Sequence, residues 1–472
     1  MRQEKLPIGF LLMSEIDLQG KRNIHLVGIG GCGMSGLAKV LKEMGFNVSG
    51  SDIKEGPNTL RLRDLGVKVF IGHHQDQVRG ADLVVYSSAI SADNPELREA
   101  QEERIPMMMR AELLSWIMNQ SKNKIAIAGT HGKTTTTAMI AKVFDFAQLK
   151  PTYFIGCDMD YIEGNARLGN GNFSVAEADE SDRSFLFLSP TVEVITNVEA
   201  DHLEHFGSME ELFATFEEFL RKISSDGFLV IEGTDPNLEY LRKKSDVSVI
   251  TYGFGASCNY SAKDFVFAQN SSSYLLLKDN QILGKVELLV PGRQNILNSL
   301  AVFAVSLEFG LDFSVVAAGL RSFVGARRRF SLVGQYQNIM IVDDYAHHPT
   351  EIKETLLAAH LGWPQRRIIA IFQPHRFTRT MLLKDQFASA FDRADLVVIT
   401  DIYAASEDPI LGISGQTIAD LLDPKKTIYQ PRKELIAQQL VKELKEGDLV
   451  LTLGAGDIYT VGKELLACLK MQ

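Results

Sequence analysis

Short apolar runs recur along the whole chain, each closed by a glycine or a polar cluster and followed by a stretch with helical spacing. This alternation predicts repeated βα units and mostly parallel sheets, an α/β fold. In a first block, from Asn23 to about Gln120, the strand candidates are 24–29, 47–50, 67–71 and 82–87. Between the first two, Leu37, Val40, Leu41 and Met44 place a helix over Met34–Met44. Polar Asn119–Asn123 reads as a linker. A second block runs from Lys124 to about Val324, with strand candidates at 125–128, 173–176 and 192–196 and an amphipathic helix over 208–223. From about Thr251 to Val290 the pattern changes to short antiparallel strands with Asn, Ser and Gly turns. Gly325–Arg329 marks a second boundary. The third block returns to βα alternation, with strands near 339–342, 368–372, 396–400 and 449–453. Domains are expected at 1–120, 121–325 and 326–472, since a chain of 472 residues holds about three domains of ordinary size.

Composition excludes several classes. The net charge of −10 argues against a large nucleic-acid surface. Cys32, Cys157, Cys258 and Cys468 lie far apart, so neither a disulfide framework nor a structural zinc site is expected, and a reducing cytoplasm fits. The apolar stretch Ile8–Met13 is too short to span a membrane and lacks a cleavage pattern; it reads as an N-terminal extension packed on the first domain.

The segment Lys124–Thr135 carries the clearest chemistry. An apolar run feeds Gly129-Thr130-His131-Gly132-Lys133-Thr134-Thr135, and a helix pattern follows. Loop N–H groups and a helix N-terminus face an anion, Lys133 adds a point charge, and the Thr134 hydroxyl can hold Mg²⁺. The loop is shorter than the usual triphosphate form, and a structural turn is the alternative. In an open parallel sheet, ligands gather beyond the carboxyl ends of the strands. Glu177, within Glu177–Asp182, follows the second strand of this block, and Asp201-His202 follows the third. A hydroxyl, a carboxylate and an imidazole there can position Mg²⁺, although nitrogen is its less usual ligand. A solvated acidic loop and a helix-entry histidine are the plainer readings.

Gly28-Ile29-Gly30-Gly31-Cys32-Gly33 fits GxGxxG between a strand and a helix, with Asp52 after the next strand. That is a dinucleotide fingerprint, so an NAD-dependent dehydrogenase is a rival; the physics promises only a diphosphate at a helix N-terminus, which a UDP-sugar also carries. Arg327-Arg328-Arg329 is either a solvated basic face or a charge-stabilising group for phosphoryl transfer. Asp343–Pro349 holds two Asp and two His, and reads as a metal site or as a turn with an N-cap aspartate. Phe372–Arg379 offers Arg376 and Arg379, suited to a carboxylate. Gly454–Asp457 is a tight turn or a ligand loop.

Taken together, GTHGKTT, EADESD, NVEADH, PGRQNILN, RRRF, DDYAHHPTEI and FQPHRFTRT occur in the order seen in the Mur ligases, and the chain resembles that family over about residues 22–460. GIGGCGMSG, SGSD and YSSAI are similar to the member that adds the first amino acid. The resemblance implies a Rossmann-like UDP-binding N-terminal domain, a P-loop ATPase central domain, and a Rossmann-like C-terminal domain that binds the amino acid and closes. It implies a cytoplasmic enzyme of peptidoglycan synthesis, monomer or homodimer, with no membrane or nucleic-acid partner. ATP with Mg²⁺ would activate UDP-N-acetylmuramate as an acyl phosphate, and L-alanine would displace the phosphate.

Residue by residue, Lys133 and Thr134 match the phosphate lysine and the Mg²⁺ hydroxyl, and Glu177 and His202 match metal ligands. Asn295 and Asn298 match an adenine-side motif, Asp344 a ribose contact and Tyr345 an adenine neighbour. Arg328 or Arg329 matches the phosphate arginine; the extra Arg327 leaves the choice open. His348, His375, Arg376 and Arg379 match the surroundings of the amino acid and reacting phosphate. Gly30, Gly31, Gly33, Asp52, His73, Ser87, Ser88 and Arg110 match or adjoin the UDP-sugar site. The closest rival is the recycling ligase that attaches a preformed tripeptide to the same UDP-sugar; YSSAI and FQPHRFTRT favour alanine. A non-catalytic nucleotide-binding regulator is the third reading, opposed by the complete Lys, Thr, Glu and His set.

Overall fold

The structure, a computed structural model, describes residues 17–159, 161–162, 164–201 and 206–471. Ile8–Met13 and His202 lie outside the described residues. The described chain divides into two compact units. One runs to Asn197 and includes Phe213–Ile231 and Asn237–Ile250; the other comprises Val198–Leu212, Glu232–Pro236 and the chain from Thr251.

The first unit begins with five parallel strands, β1 (Asn23–Val27), β2 (Asn47–Asp52), β3 (Lys68–Ile71), β4 (Leu83–Tyr86) and β5 (Met107–Met109), in the order β3-β2-β1-β4-β5. Leu83, Val84 and Val85 are all fully buried, as expected of a strand covered on both faces. Helix α1 (Cys32–Glu43) buries Leu37, Val40 and Leu41 of the stripe that predicts it, with Met34 beside them; Met44, the stripe's last residue, is its half-buried C-cap. Helices α2 (Pro57–Asp64) and α3 (Pro95–Glu102) each start on a proline, whose missing N–H costs nothing there. Helix α4 (Arg110–Met118) follows β5. Three methionines offer no alternation, so β5 has no sequence signal of its own.

The same unit continues with β6 (Asn123–Ala128), α5 (Lys133–Phe146), β7 (Thr152–Met159), β8 (Gly164–Arg167), β9 (Phe173–Glu177), β10 (Val192–Ile195) and β11 (Phe228–Glu232). These strands lie in the order β11-β10-β6-β9-β7-β8, parallel except for the β7–β8 pair. Asn123, expected in the linker, already pairs with Phe173. Two aromatic residues of the helix at Met209–Leu220 close the core: Phe185 meets Phe216 at 5.3 Å and Phe219 at 4.5 Å between ring centroids.

In the second unit, the end of β12 (Ser248–Gly253), with β13 (Tyr260–Ala268), β14 (Ser271–Lys278) and β15 (Gln281–Leu288), confirms the change of pattern. β13, β14 and β15 form an antiparallel meander, while β12 meets β13 in parallel at Tyr252 and Tyr260. A six-stranded sheet follows, from β16 (Ser331–Tyr336), β17 (Ile339–Asp344), β18 (Ile368–Phe372), β19 (Leu396–Ile399), β20 (Thr427–Tyr429) and β21 (Leu449–Leu453), in the order β16-β17-β21-β18-β19-β20. Only β16 is antiparallel. Alternate residues feed two cores: Ala370, Phe372, Leu449, Leu451 and Leu453 enter one, and Ile369, Ile371, Val398 and Val450 the other. Both faces are therefore covered, and the strand ends are where polar groups collect.

Candidate active site

β6 runs straight into the loop Gly129–Gly132 and α5. Gly129 takes φ 124°, and a Cβ there would lie 2.2 Å from Thr196 Oγ1, so only glycine fits. Asn197 clamps the loop: its carbonyl accepts from Thr130 N at 3.0 Å, its Oδ1 accepts from His131 N at 2.8 Å, and its Nδ2 donates to His131 O at 3.0 Å. Thr196 Oγ1 also donates to His131 O, at 2.6 Å.

Lys133 opens α5. Its ammonium donates to Gly129 O, to Thr130 O at 3.2 Å and to Glu180 Oε1 at 3.0 Å, with Glu180 Oε2 at 2.9 Å. Burial acts to strip its proton, but the carboxylates of Glu180, Asp179 and Glu177 outweigh burial and hold Lys133 above the ordinary lysine value. Thr134 lies buried in the first turn, and Glu177 ends β9, which neighbours β6. A hydroxyl and carboxylates are hard oxygen donors, so this donor set fits Mg²⁺. Glu177 Oε1 accepts from Gly156 N. Arg110 donates to Ser184 Oγ at 3.3 Å, and Arg110, Glu177, Asp179 and Ser184 share the wall of one small cavity. Thr135 follows Thr134 on the same turn.

The glycine loop after β1 is fixed by β2. Ser51 O accepts from Gly28 N at 2.8 Å and Ile29 N at 2.9 Å, and Asp52 Oδ2 accepts from Gly30 N at 2.9 Å. Asn58 Nδ2 donates to Gly30 O at 2.9 Å. Gly31 precedes α1, and a Cβ on Gly33 would lie 3.2 Å from Arg110, so the arginine lies against this loop. Ser87 O accepts from Ile90 N at 3.0 Å, and Ser88 Oγ donates to Asp182 Oδ2 at 2.6 Å, tying the loop after β4 to the acidic segment. His73 Nδ1 lies 3.0 Å from Ser51 Oγ.

In the second unit, Arg328 (φ 59°) is fully engaged. It donates to Asp343 Oδ2 at 3.1 Å, Gly456 O at 3.1 Å and Gly454 O at 2.6 Å, and lies between the rings of Tyr345 and Tyr459. Arg329 covers the Tyr345 ring at 5.3 Å and lies 3.8 Å from Glu351. Asp344 accepts from Phe330 N and Ala346 N, each at 2.8 Å; burial pushes its carboxyl up to about 6 against the pull of Arg329. The expected N-cap aspartate is absent from this turn. His348 caps the helix Pro349–Gly362, taking Thr350 N on Nδ1 at 3.3 Å, while Glu351 Oε2 accepts from His348 N at 3.2 Å. An imidazole acceptor and a glutamate three residues later do the work assigned to aspartate. Asn295 Nδ2 donates to Pro291 O at 2.7 Å, and Asn298 Nδ2 lies 3.5 Å from Asn295 Oδ1 on the helix Arg293–Glu308.

His375 follows β18. It stacks on Tyr403 with centroids 5.5 Å apart and meets His347 edge-on at 5.8 Å. Burial, then the charges of His347, Arg379 and Arg376, drive its pKa down to about 3. Arg376 adopts φ 71° at the head of the helix Phe377–Phe387. Arg379 is buried and forked onto Asp201, with Nε 3.2 Å and Nη2 3.0 Å from Oδ1, and its Nη1 lies 3.3 Å from His375 Nδ1. Glu199 Oε2 accepts from Thr350 Oγ1 at 2.6 Å and lies 3.9 Å from His348 Nδ1. Asn197, Glu180, Glu199 and Glu351 hold candidate residues in place; they lie inside the motifs NVEADH, EADESD and DDYAHHPTEI, which assign them no role of their own. A cleft of about 300 Å³ also opens at the ends of β18, β19, β20 and β21, walled by Gln373, Tyr403, Lys433 and Asp457.

A chain with three α/β sheets, a strand–loop–helix phosphate cradle and arginine-bearing strand ends belongs with the ATP-dependent ligases, and the comparisons bear this out. The Mur ligase family catalytic domain matches residues 23–122, the Mur ligase middle domain 127–306 and the Mur ligase glutamate ligase domain 328–456. The chain belongs to the Mur ligase family and has its three-domain α/β architecture. It is 45% identical over 451 residues to the UDP-N-acetylmuramate--L-alanine ligase of Pelobacter propionicus, covering 95% of this chain and 98% of that one. The enzyme of the same name from Desulforamulus reducens is 45% identical over 458 residues, 96% of this chain and 99% of that one. Among solved structures, the UDP-N-acetylmuramate-alanine ligase of Thermotoga maritima aligns with a TM-score of 0.81 at 33% identity, covering 95% of this chain and 99% of that one. A murein peptide ligase from Psychrobacter arcticus shares the fold, with a TM-score of 0.69 at 24% identity over 95% of this chain and 98% of that one. Among the described residues no helix is long and apolar enough to cross a membrane.

Proposed function

We infer that this chain joins L-alanine to UDP-N-acetylmuramate in an ATP-driven reaction of cytoplasmic peptidoglycan synthesis. One observation carries this: an unbroken likeness to alanine ligases along 95% of the chain, on a fold whose phosphate loop is fully built. ATP phosphorylates the muramoyl carboxylate, giving ADP and an acyl phosphate. The alanine amine attacks that carbonyl, the C–O bond to phosphate breaks, and the nitrogen loses a proton as the amide forms. The protein's part is positioning and charge neutralisation.

In the first unit, the loop amides of Gly129–Gly132, the N-terminus of α5 and Lys133 receive phosphate oxygens, with Thr135 in the same turn. Thr134 and Glu177 would hold Mg²⁺, which supplies charge neutralisation when bound. Gly30, Gly31, Gly33, Asp52, His73, Ser87, Ser88 and Arg110 take the UDP-sugar. In the second unit, Asn295, Asn298, Asp344 and Tyr345 are the nucleotide contacts. Arg328 or Arg329 is the phosphate-directed arginine, both lying against the Tyr345 ring. Arg376 is the alanine carboxylate receptor; its strained φ points to a functional placement. Arg379, held by Asp201, fixes the loop with His375, and His348 caps the neighbouring helix. The domain limits near residues 120 and 325 belong to the same reading, as does a monomer or homodimer. The test is ADP release by purified protein. It should need UDP-N-acetylmuramate and L-alanine together, and release with either omitted at the full rate would refute the reading.

A further inference from the structure

Next to the first glycine loop lies a buried polar cluster of which the reaction scheme uses only His73. Glu96, on α3, and His25, on β1, are both fully buried. Glu96 Oε2 accepts from His25 Nε2 and from Ser51 Oγ, each at 2.8 Å, and Glu96 Oε1 faces His73 Nδ1 at 3.0 Å. His25 Nδ1 is satisfied in turn by Ser49 Oγ at 2.9 Å. Burial of Glu96 favours the neutral acid, but the hydrogen bonds from His25, Ser51 and His73 prevail and hold it below the ordinary carboxylate value. The carboxylate is thus ionised and fully committed.

Two features connect this cluster to ligand binding. Ser51 is shared: its side chain bonds Glu96 and its carbonyl holds Gly28 N and Ile29 N of the loop. His73 has an accessible edge, its side chain 14% exposed, whereas Glu96 is wholly enclosed. With Nδ1–H donated to Glu96, the His73 ring is held in one orientation and tautomer. Its Nε2 edge is then the one left to meet a ligand, as when a carboxylate fixes a histidine that binds through its other nitrogen.

We propose that Glu96 is a positioning residue for nucleoside diphosphate binding: it locks His73 so that Nε2 meets the diphosphate of the UDP-sugar beside the glycine loop. This rests on the reading of the first domain as the UDP-sugar site. Removing Glu96 would leave His73 free to rotate and switch tautomer, which weakens binding without touching ATP or alanine.

The test is calorimetry with UDP and with UDP-N-acetylmuramate on the full chain and on Glu96→Gln, His73→Gln and the double variant, with kinetics alongside. Glu96→Gln should weaken binding of both ligands about tenfold, the scale of one hydrogen bond to a charged group. The Michaelis constants for ATP and alanine should stay within about twofold. The double variant should bind no worse than His73→Gln alone, because Glu96 acts through His73. A merely structural cluster would instead lower melting temperature and give additive losses. If Glu96→Gln fails to fold, Ser51→Ala combined with His73→Gln makes the same comparison. Additive losses, or unchanged affinity in a folded Glu96→Gln protein, would overturn the proposal. Failure of the parent protein to bind UDP would instead count against the domain reading on which it rests.

Discussion

Lys133 is a largely enclosed cation whose nearest charge is the buried Glu180 carboxylate, and this sets what its removal does. Truncating one partner of a buried pair leaves the other uncompensated, at a cost of about 3–5 kcal/mol. Lys133→Met should therefore lower both turnover, by about a hundredfold or more, and melting temperature. Adding Glu180→Gln should restore melting but not turnover, because the phosphate charge is still missing. Calorimetric scans and initial rates on the three variants separate the two effects; turnover recovering with stability would show that Lys133 is only structural.

His375 gives a residue-scale test by pH. Its pKa of about 3 lies below the ordinary 6.5, so the folded state binds fewer protons than the unfolded chain between those values. Its contribution to stability is fully present above about pH 6.5 and is lost as pH falls toward 3. In histidine-labelled protein, the resonance missing from His375→Gln should show no titration between about pH 5.5 and 8. A midpoint near 6.5 would contradict the partly buried, Tyr403-stacked placement.

At the scale of elements, what was legible followed from periodicity. The strand at Ile368–Phe372 and that at Leu449–Leu453 match expectation because buried parallel strands are uniform apolar runs. β5, β7, β8, β11, β16 and β20 were not readable this way, being short or mixed, and held by their neighbours more than by their own pattern. The phosphate loop was legible because only glycine tolerates Gly129's φ and its approach to Thr196. Its clamp was not, since Asn197 meets the loop only once β10 lies beside β6. Gly129→Ala should consequently abolish ATP binding by calorimetry and lower melting by several degrees, on the scale of a strained backbone of about 1–3 kcal/mol. ATP affinity equal to the parent's would show that the loop does not grip phosphate. Similarly, the carboxylate-suited arginines were visible in FQPHRFTRT, but the forked Asp201–Arg379 pair was not, being 178 residues apart in sequence. Arg376→Ala should raise the Michaelis constant for alanine far more than that for ATP, while Arg379→Ala should chiefly cost stability. The reverse pattern would exchange their roles.

For the whole molecule, the central claim is the identity of the amino-acid substrate. The ATP-handling parts cannot decide it, because the murein peptide ligase shares the fold. The more direct warrant is the 45% identity to alanine ligases over nearly the full length. The decisive measurement is a competition. Purified protein with ATP, Mg²⁺ and UDP-N-acetylmuramate is offered L-alanine, glycine, L-serine and the preformed peptidoglycan tripeptide together, and the products are weighed by mass spectrometry. A product heavier than the UDP-sugar by one alanine residue should dominate. A product carrying the tripeptide, with alanine left unused, would contradict the account.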